Sequence, residues 1–396
     1  MRALGLKKNE ERRILAGHLW IFSNEVDTAR SPLTDFAPGE AATVRDAHGR
    51  VLGSACVNPA TLICARLHSR EADAELDAPL LKKRLEKALA LRERLFDAPW
   101  YRLCHGEGDL LPGLVIDRYD GHLTVQITTA AMESRRDALL EVLDALLAPA
   151  SVLLANDLPA RALEGLALAP ESLGPVPETL EVPENGCVFS APCAGGQKTG
   201  WFYDQRANRA AAARLAKGRD VLDAFCYLGG FGVSAGAVGA GSVTFLDASE
   251  HALSFARANL ERNAPRAAAC PESGTMCGDA FHALAELCES GRRFGLVSID
   301  PPAFIKRRKD AGQGLAAYRK INLLAARLVA PGGVLVSSSC SHHLPEEALR
   351  GCVARAAAKL GRPAQMLHAG GQGPDHPILL SMPETAYLKC CIARLG

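Results

Sequence analysis

Residues 220–232 read DVLDAFCYLGGFG. An apolar, β-favouring run carries Asp223 near its end, and Gly229, Gly230 and Gly232 then supply a turn in which backbone can approach a ligand before a helix begins. The spacing is not G-x-G-x-x-G, which argues against a nicotinamide dinucleotide. A tight strand-to-helix turn without any ligand would also need such glycines, so this stretch alone says only strand, turn, helix.

Outward from it the same unit recurs. SVTFLDAS (242–249), GTMCGDAF (274–281), FGLVSIDPP (294–302) and GGVLVSSSC (332–340) are strand-like, with helical sequence between most of them. Strands alternating with helices predict an α/β fold, a parallel sheet wound on both faces with ligand sites at the carboxyl ends of the strands. Acids sit at four of those ends: Asp223, Asp247, Asp279 and Asp300. Each alone could be a helix cap, but the sheet brings four such ends together around one crevice, and the Asp247 carboxylate at the second strand end can take the two hydroxyls of a ribose. The last strand ends in SSSCSHH (337–343), where Cys340 is either a core thiol or a presented nucleophile, and His342 and His343 are either exposed loop residues, the reading favoured here, or groups that lower the thiol pKa or serve in proton transfer.

Toward the N-terminus the pattern differs. Residues 1–72 contain short strands punctuated by Gly and Pro, a small β-rich domain. From Asp77, leucines at helical spacing among Lys and Arg predict an amphipathic helix, followed by a hairpin at GLVIDRY-DG-HLTVQITT, a helix at RRDALLEVLDALL and a strand at SVLLAN. These make an α+β middle domain over 73–185, with the proline-rich 170–183 expected to break regular structure; the α/β domain follows over 186–396.

Length and an apolar content of 48% are ample for several cores. The charged opening and the lack of a long uncharged apolar run predict no membrane segment and a cytoplasmic location. Thirteen cysteines, an odd number with no Cys-x-x-Cys pair, read as free thiols, and no metal site is expected. A net charge of +1 is uninformative by itself.

The strand-end order resembles the class I S-adenosylmethionine (SAM)-dependent methyltransferases. The resemblance implies that Asp223, the turn residues Phe225, Tyr227, Gly229 and Gly230, then Asp247 and Asp279 hold the cofactor, the last two at ribose and adenine. Asp300-Pro301-Pro302 looks like the motif that faces the group to be methylated, typical of enzymes acting on nucleobases.

Five segments narrow it. GGQKTGWFYDQRANR (195–209), DAFCYLGGFG (223–232), IDPPAF (299–304), SSSCSHH (337–343) and DHPILLSMPETAYLKC (375–390) together resemble the bacterial 23S ribosomal RNA cytosine-C5 methyltransferase I family. LKKNEERRILAGHLWIFSNEV (6–26) is similar to that family's PUA domain, a small RNA-binding β-barrel. The resemblance implies methylation at cytosine carbon 5 in large-subunit ribosomal RNA, with Cys340 as nucleophile, Asp300 beside the base, and Lys198, Tyr203, Asp204 and Arg206 lining the pockets. Asp204 and Arg206 could equally be an ion pair at the edge of the domain. Phe304 and the cations Lys306, Arg307 and Arg308 are suited to substrate RNA, by stacking and phosphate contact, as are Trp201 and Phe202 by stacking.

This sequence departs from the family at Leu228, where threonine is usual, at Tyr203, where leucine is usual, and in LANDLPARALEGL (154–166). Ala303 after the two prolines excludes a second cysteine there. The competing readings are nitrogen methylation of an RNA base, which Ala303 disfavours because an aromatic usually stands there, and a non-catalytic RNA-binding assembly factor. The sequence leaves a homodimer open.

Overall fold

The computed structural model describes residues 1–193, 200–263 and 272–396. The chain forms two compact units. The first contains Met1–Glu178, Cys193–Trp201 and Pro374–Thr385; the second contains Thr179–Pro192, Phe202–Gly373 and Ala386–Gly396, in each case less the residues outside the description.

The first unit holds two sheets. One has five short strands in the spatial order Arg2–Gly5, Glu40–Arg45, Val51–Val57, Ala65–Ser69, Trp20–Ile21, around a core that includes Leu4, Ile21, Val44 and Leu67. The other runs Glu171–Leu173, Ser151–Leu154, His122–Ile127, Leu114–Tyr119, Trp100–His105, with the helices Ala78–Leu95 and Arg136–Leu147. The first of these helices starts where Asp77 accepts the Leu80 N–H, and it buries Leu81, Leu85 and Ala88 at the predicted spacing. The expected hairpin forms between Leu114–Tyr119 and His122–Ile127, turning at Asp120 in the left-handed region.

Pro374–Thr385 also packs in this first unit. Met382 lies in the core of the N-terminal sheet, and the Asp375 carboxylate accepts the Arg102 N–H at 3.0 Å while its carbonyl accepts from Arg92 at 2.8 Å.

The second unit is built on a seven-stranded sheet. We number its strands β1 (Asp220–Ala224), β2 (Ser242–Asp247), β3 (Glu272–Cys277), β4 (Phe294–Ile299), β5 (Val329–Ser339), β6 (Ala364–Gly371) and β7 (Lys389–Leu395). Their spatial order is β3-β2-β1-β4-β5-β7-β6, with β1 to β5 parallel and β7 antiparallel to both neighbours. Helices α1 (Arg206–Ala213), α2 (Gly230–Ala237), α3 (Glu250–Asn263), α4 (Ala280–Glu289), α5 (Ala311–Leu328) and α6 (Glu346–Lys359) accompany it. Central strands covered on both faces must be apolar throughout, which is why Val221, Leu222 and Ala224, or Leu296, Val297 and Ile299, are all buried. The order reverses between β1 and β4, which makes the carboxyl ends of those strands the crevice of the sheet.

Two details differ from the sequence expectation. Strand β5 begins at Val329, opposite Phe294, and Pro331 and Gly332 (φ 73°) form an irregularity before pairing resumes at Val334 opposite Leu296. The proline-rich stretch does not wholly break regular structure: Thr179–Glu184 pairs with Cys187–Pro192, burying Leu180, Val182, Phe189 and Ala191. Pro183 is tolerated because each strand of a two-stranded ribbon has an edge that needs no N–H. Among the described residues, twelve cysteines are free thiols and no helix is long and apolar enough to cross a membrane.

Candidate active site at the strand ends

Strand β1 delivers Asp223 fully buried, with Oδ2 accepting the Gly232 N–H from the first turn of α2 at 2.8 Å. Its Oδ1 is buried without a hydrogen-bond partner among the described residues. Burial pushes this carboxyl up to about 7; the negative charges of Asp300 and Asp247 add to the shift, and the Gly232 N–H and the Arg209 guanidinium oppose it. The turn that follows is unusual. Phe225 (φ 60°) and Tyr227 (φ 49°) are left-handed, a region costly to aromatic residues and found mainly where the surroundings impose it. The Asn259 amide of α3 braces the turn by donating to the Leu228 carbonyl at 3.1 Å. Gly230 and Gly232 are required by packing: a Cβ there would come within 2.6 Å of Arg209 Nε or 2.4 Å of the Phe245 ring.

Asp247 at the end of β2 receives two backbone N–H groups, Tyr227 on Oδ2 at 2.9 Å and Ser249 on Oδ1 at 3.0 Å. Each carboxylate oxygen has two lone pairs, so the group can still take hydroxyls. Asp279 is exposed and caps α4, accepting the His282 N–H at 3.0 Å. Asp300, after β4, accepts the Gln205 side-chain amide at 2.9 Å, and its own N–H bonds to the Ala224 carbonyl, tying β4 to β1.

Cys340 follows β5 and is half-buried. The residues on either side of it are locked: the Tyr318 hydroxyl of α5 bonds Ser339 Oγ at 2.7 Å and Ser341 Oγ at 2.8 Å. Ser341 Oγ also accepts the Ile305 N–H at 3.2 Å, joining this loop to the segment after Asp300. From β7, Lys389 Nζ donates to the carbonyls of Ser341 at 2.5 Å and Tyr387 at 2.8 Å. Burial lowers the Lys389 pKa, while charge on Cys340 and Glu346 acts in the opposite direction.

The segment before α1 covers these strand ends. Tyr203 and Asp204 are buried; Asp204 accepts the Tyr387 hydroxyl at 2.5 Å, and the Tyr387 ring lies 5.7 Å from that of His342. Arg206 pairs with Glu184 at 3.5 Å and stacks on Tyr203, and Arg209 pairs with the same glutamate at 2.5 Å. Lys198 lies outside the described residues. Phe202 meets Tyr227 edge to face at 5.4 Å. Trp201 is buried in the first unit, its backbone N–H donating to the Tyr119 hydroxyl at 3.1 Å.

Pro301 is buried and Pro302 exposed. Phe304 packs between the rings of Phe281 (5.8 Å) and Tyr318 (4.8 Å). Lys306, Arg307 and Arg308 are exposed, and Arg307 is paired with Asp310 at 2.9 Å, which raises the Arg307 pKa. Gln205, Tyr318, Tyr387 and Lys389 carry no sequence signal of their own, although Gln205, Tyr387 and Lys389 fall inside motifs quoted above.

A buried carboxylate oxygen without a partner, a strained turn and a two-acceptor acid at the next strand end fit SAM. Asp223, the 225–230 turn and Asp247 would hold it.

Comparison with known proteins agrees. Residues 4–70 match the PUA-like domain family and residues 101–374 the S-adenosylmethionine-dependent methyltransferase family. A curated protein of Tolumonas auensis named Ribosomal RNA large subunit methyltransferase I is 37% identical over 98% of both chains. One of the same name from Aeromonas hydrophila is 36% identical, also over 98% of both. A solved structure from Streptococcus mutans described as a SAM-dependent methyltransferase superposes with a TM-score of 0.83 at 19% identity over the whole of both chains. Another, described as a methyltransferase complexed with SAH, gives 0.84 at 18% over the same extent. At these identities the two structures speak for the fold.

Proposed function

Because the chain belongs to the ribosomal RNA large subunit methyltransferase I family of SAM-dependent methyltransferases, we propose that it methylates carbon 5 of a cytosine in large-subunit ribosomal RNA through Cys340. The observation that carries the reading is the setting of that thiol: half-buried at a strand end, with both neighbours pinned by one buried tyrosine hydroxyl. A core cysteine needs no such fixing, whereas a nucleophile must be held within a fraction of an ångström of its target. The PUA-like domain supports an RNA substrate.

Carbon 5 of cytosine is a poor nucleophile. The Cys340 thiolate adds to carbon 6, forming the S–C6 bond, and the displaced π electrons make carbon 5 an enamine carbon. SAM, when bound, supplies a methyl group on a sulfonium for that carbon. The carboxyl group of Asp300, held by the Gln205 amide, is suited in its acid form to give its proton to N3 as negative charge develops there, and to accept from the exocyclic amine; it takes the N3 proton back when the Cys340 thiolate is expelled. Loss of the carbon 5 proton to a base then restores the C5–C6 double bond and expels the Cys340 thiolate, so the enzyme is regenerated.

The test is to incubate the protein with labelled SAM and unmodified large-subunit ribosomal RNA, digest to nucleosides, and compare Cys340→Ser. Labelled 5-methylcytidine from the native protein and none from the variant is the expected result. Label that survives in the variant, or that appears on another nucleoside, refutes the covalent mechanism in favour of nitrogen methylation. Absence of measurable SAM binding would favour the assembly factor.

A further inference from the structure

Lys389 has no role in the reaction as described. It stands in β7 directly opposite Ser339, the residue before Cys340, and its Nζ donates to the carbonyl of Ser341, the residue after it. Lys389 therefore meets the residue before the thiol by strand pairing and the residue after it through its half-buried ammonium. The two carbonyls it serves, Ser341 and Tyr387, need only a hydrogen-bond donor, and a neutral one would satisfy them without bringing a cation out of water. A cation is useful there only to a neighbour that ionises; two interact with it, Glu346, which is already paired with Arg350, and the Cys340 thiol, whose two flanking residues Lys389 meets.

We propose that Lys389 is the charge partner that holds the Cys340 thiol as the thiolate, a positioning residue for the nucleophile. The proposal rests on the reading of Cys340 given above. The proton leaves the thiol to solvent and Lys389 keeps its own. The thiolate is consumed when the S–C6 bond forms and returns beside the same ammonium when the methylated base is released.

Other ionisable groups face this loop. Tyr318 comes from α5, Glu346 from the start of α6 where it pairs with Arg350, Asp300 from the end of β4, and His342 and His343 from the loop itself. Negative charge on Glu346 and Asp300 would raise the thiol pKa, and a cation bonded to the Ser341 carbonyl counters them. The electrostatic interaction between Lys389 and Cys340 agrees with the geometry.

The experiment is the pH dependence of iodoacetamide alkylation at Cys340, followed peptide by peptide by mass spectrometry, with neither RNA nor SAM present. Native protein, Lys389→Met and Lys389→Arg are compared. Loss of the cation raises the thiol pKa by about one unit, so Lys389→Met should react roughly tenfold more slowly near pH 7. It should converge on the native rate at alkaline pH, where the thiolate forms without help. Lys389→Arg should stay within about twofold of native throughout, because it keeps the charge. Profiles of native protein and Lys389→Met that superimpose would overturn the proposal, as would equal slowing at every pH, which marks a structural effect. The nucleophile assignment is tested separately: if Cys340→Ser still methylates carbon 5, that assignment falls whatever the alkylation profile. If Cys340 is required and the profiles superimpose, Lys389 alone falls.

Discussion

Asp223→Asn should make the ligand-free protein more stable and the enzyme worse. The carboxyl is fully buried and pushed from 3.8 to about 7, first by burial and then by the charges of Asp300 and Asp247. Between these two values the native state keeps a proton that the unfolded chain has lost, so the Asp223 contribution to stability falls as pH rises. It is undiminished below pH ~4 and fully lost above pH ~7. At 1.36 kcal/mol for each unit, a shift of about three units amounts to about 4 kcal/mol. Asparagine keeps an oxygen to accept the Gly232 N–H and carries no charge to bury. The assay is urea denaturation of native and variant protein without ligand at a series of pH values. The stability of the variant relative to native should grow by up to about 4 kcal/mol between pH ~4 and pH ~8. A difference flat in pH, or one that shrinks as pH rises, would refute the reasoning. Titration calorimetry at pH ~8 should show weaker SAM binding by the variant, by tenfold or more, since the ionised carboxylate is the group offered to the ligand. Stability gained at the cost of binding is the pattern expected of a group retained for function.

Removing the Tyr318 hydroxyl should release the Cys340 loop. Tyr318→Phe leaves Ser339 and Ser341 without their shared partner in a buried site, costing about 1–3 kcal/mol of stability, and kcat should fall more than KM rises. Unchanged kcat in steady-state assays would count against a positioning role for this hydroxyl. Met382→Ala truncates a fully buried side chain in the core of the N-terminal sheet and should destabilise the first unit by about 2–5 kcal/mol in denaturant melts. A loss under about 1 kcal/mol would mean that the 374–385 segment contributes little to that core.

The α/β class, the run of parallel strands and the acids at their ends were legible in the chain itself. Each depends on residues that are neighbours in sequence: an apolar run long enough for a strand, a carboxylate at its end, and glycines where α2 must pass close to β2. The pattern did not reveal which partner each acid takes. Gln205 meets Asp300 across 95 residues and Asp204 meets Tyr387 across 183, pairings that exist only because separate connections return to the same strand ends. Asp279 read like its neighbours but also caps a helix, since the same carboxylate suits either role. Phe304 read as a candidate base platform, and the fold places it between two other rings.

The DHP motif shows the same division. Its residues were conspicuous in sequence, yet only the tertiary structure shows the chain leaving the second unit at Gly373, joining the first through Asp375 and Met382, and returning at Ala386. The return brings Lys389 opposite Ser339. Local propensity and periodicity determine what an element is, and they act over a few residues. What an element touches is set by burial and register across the whole chain, so the surroundings of Cys340 were decided by packing.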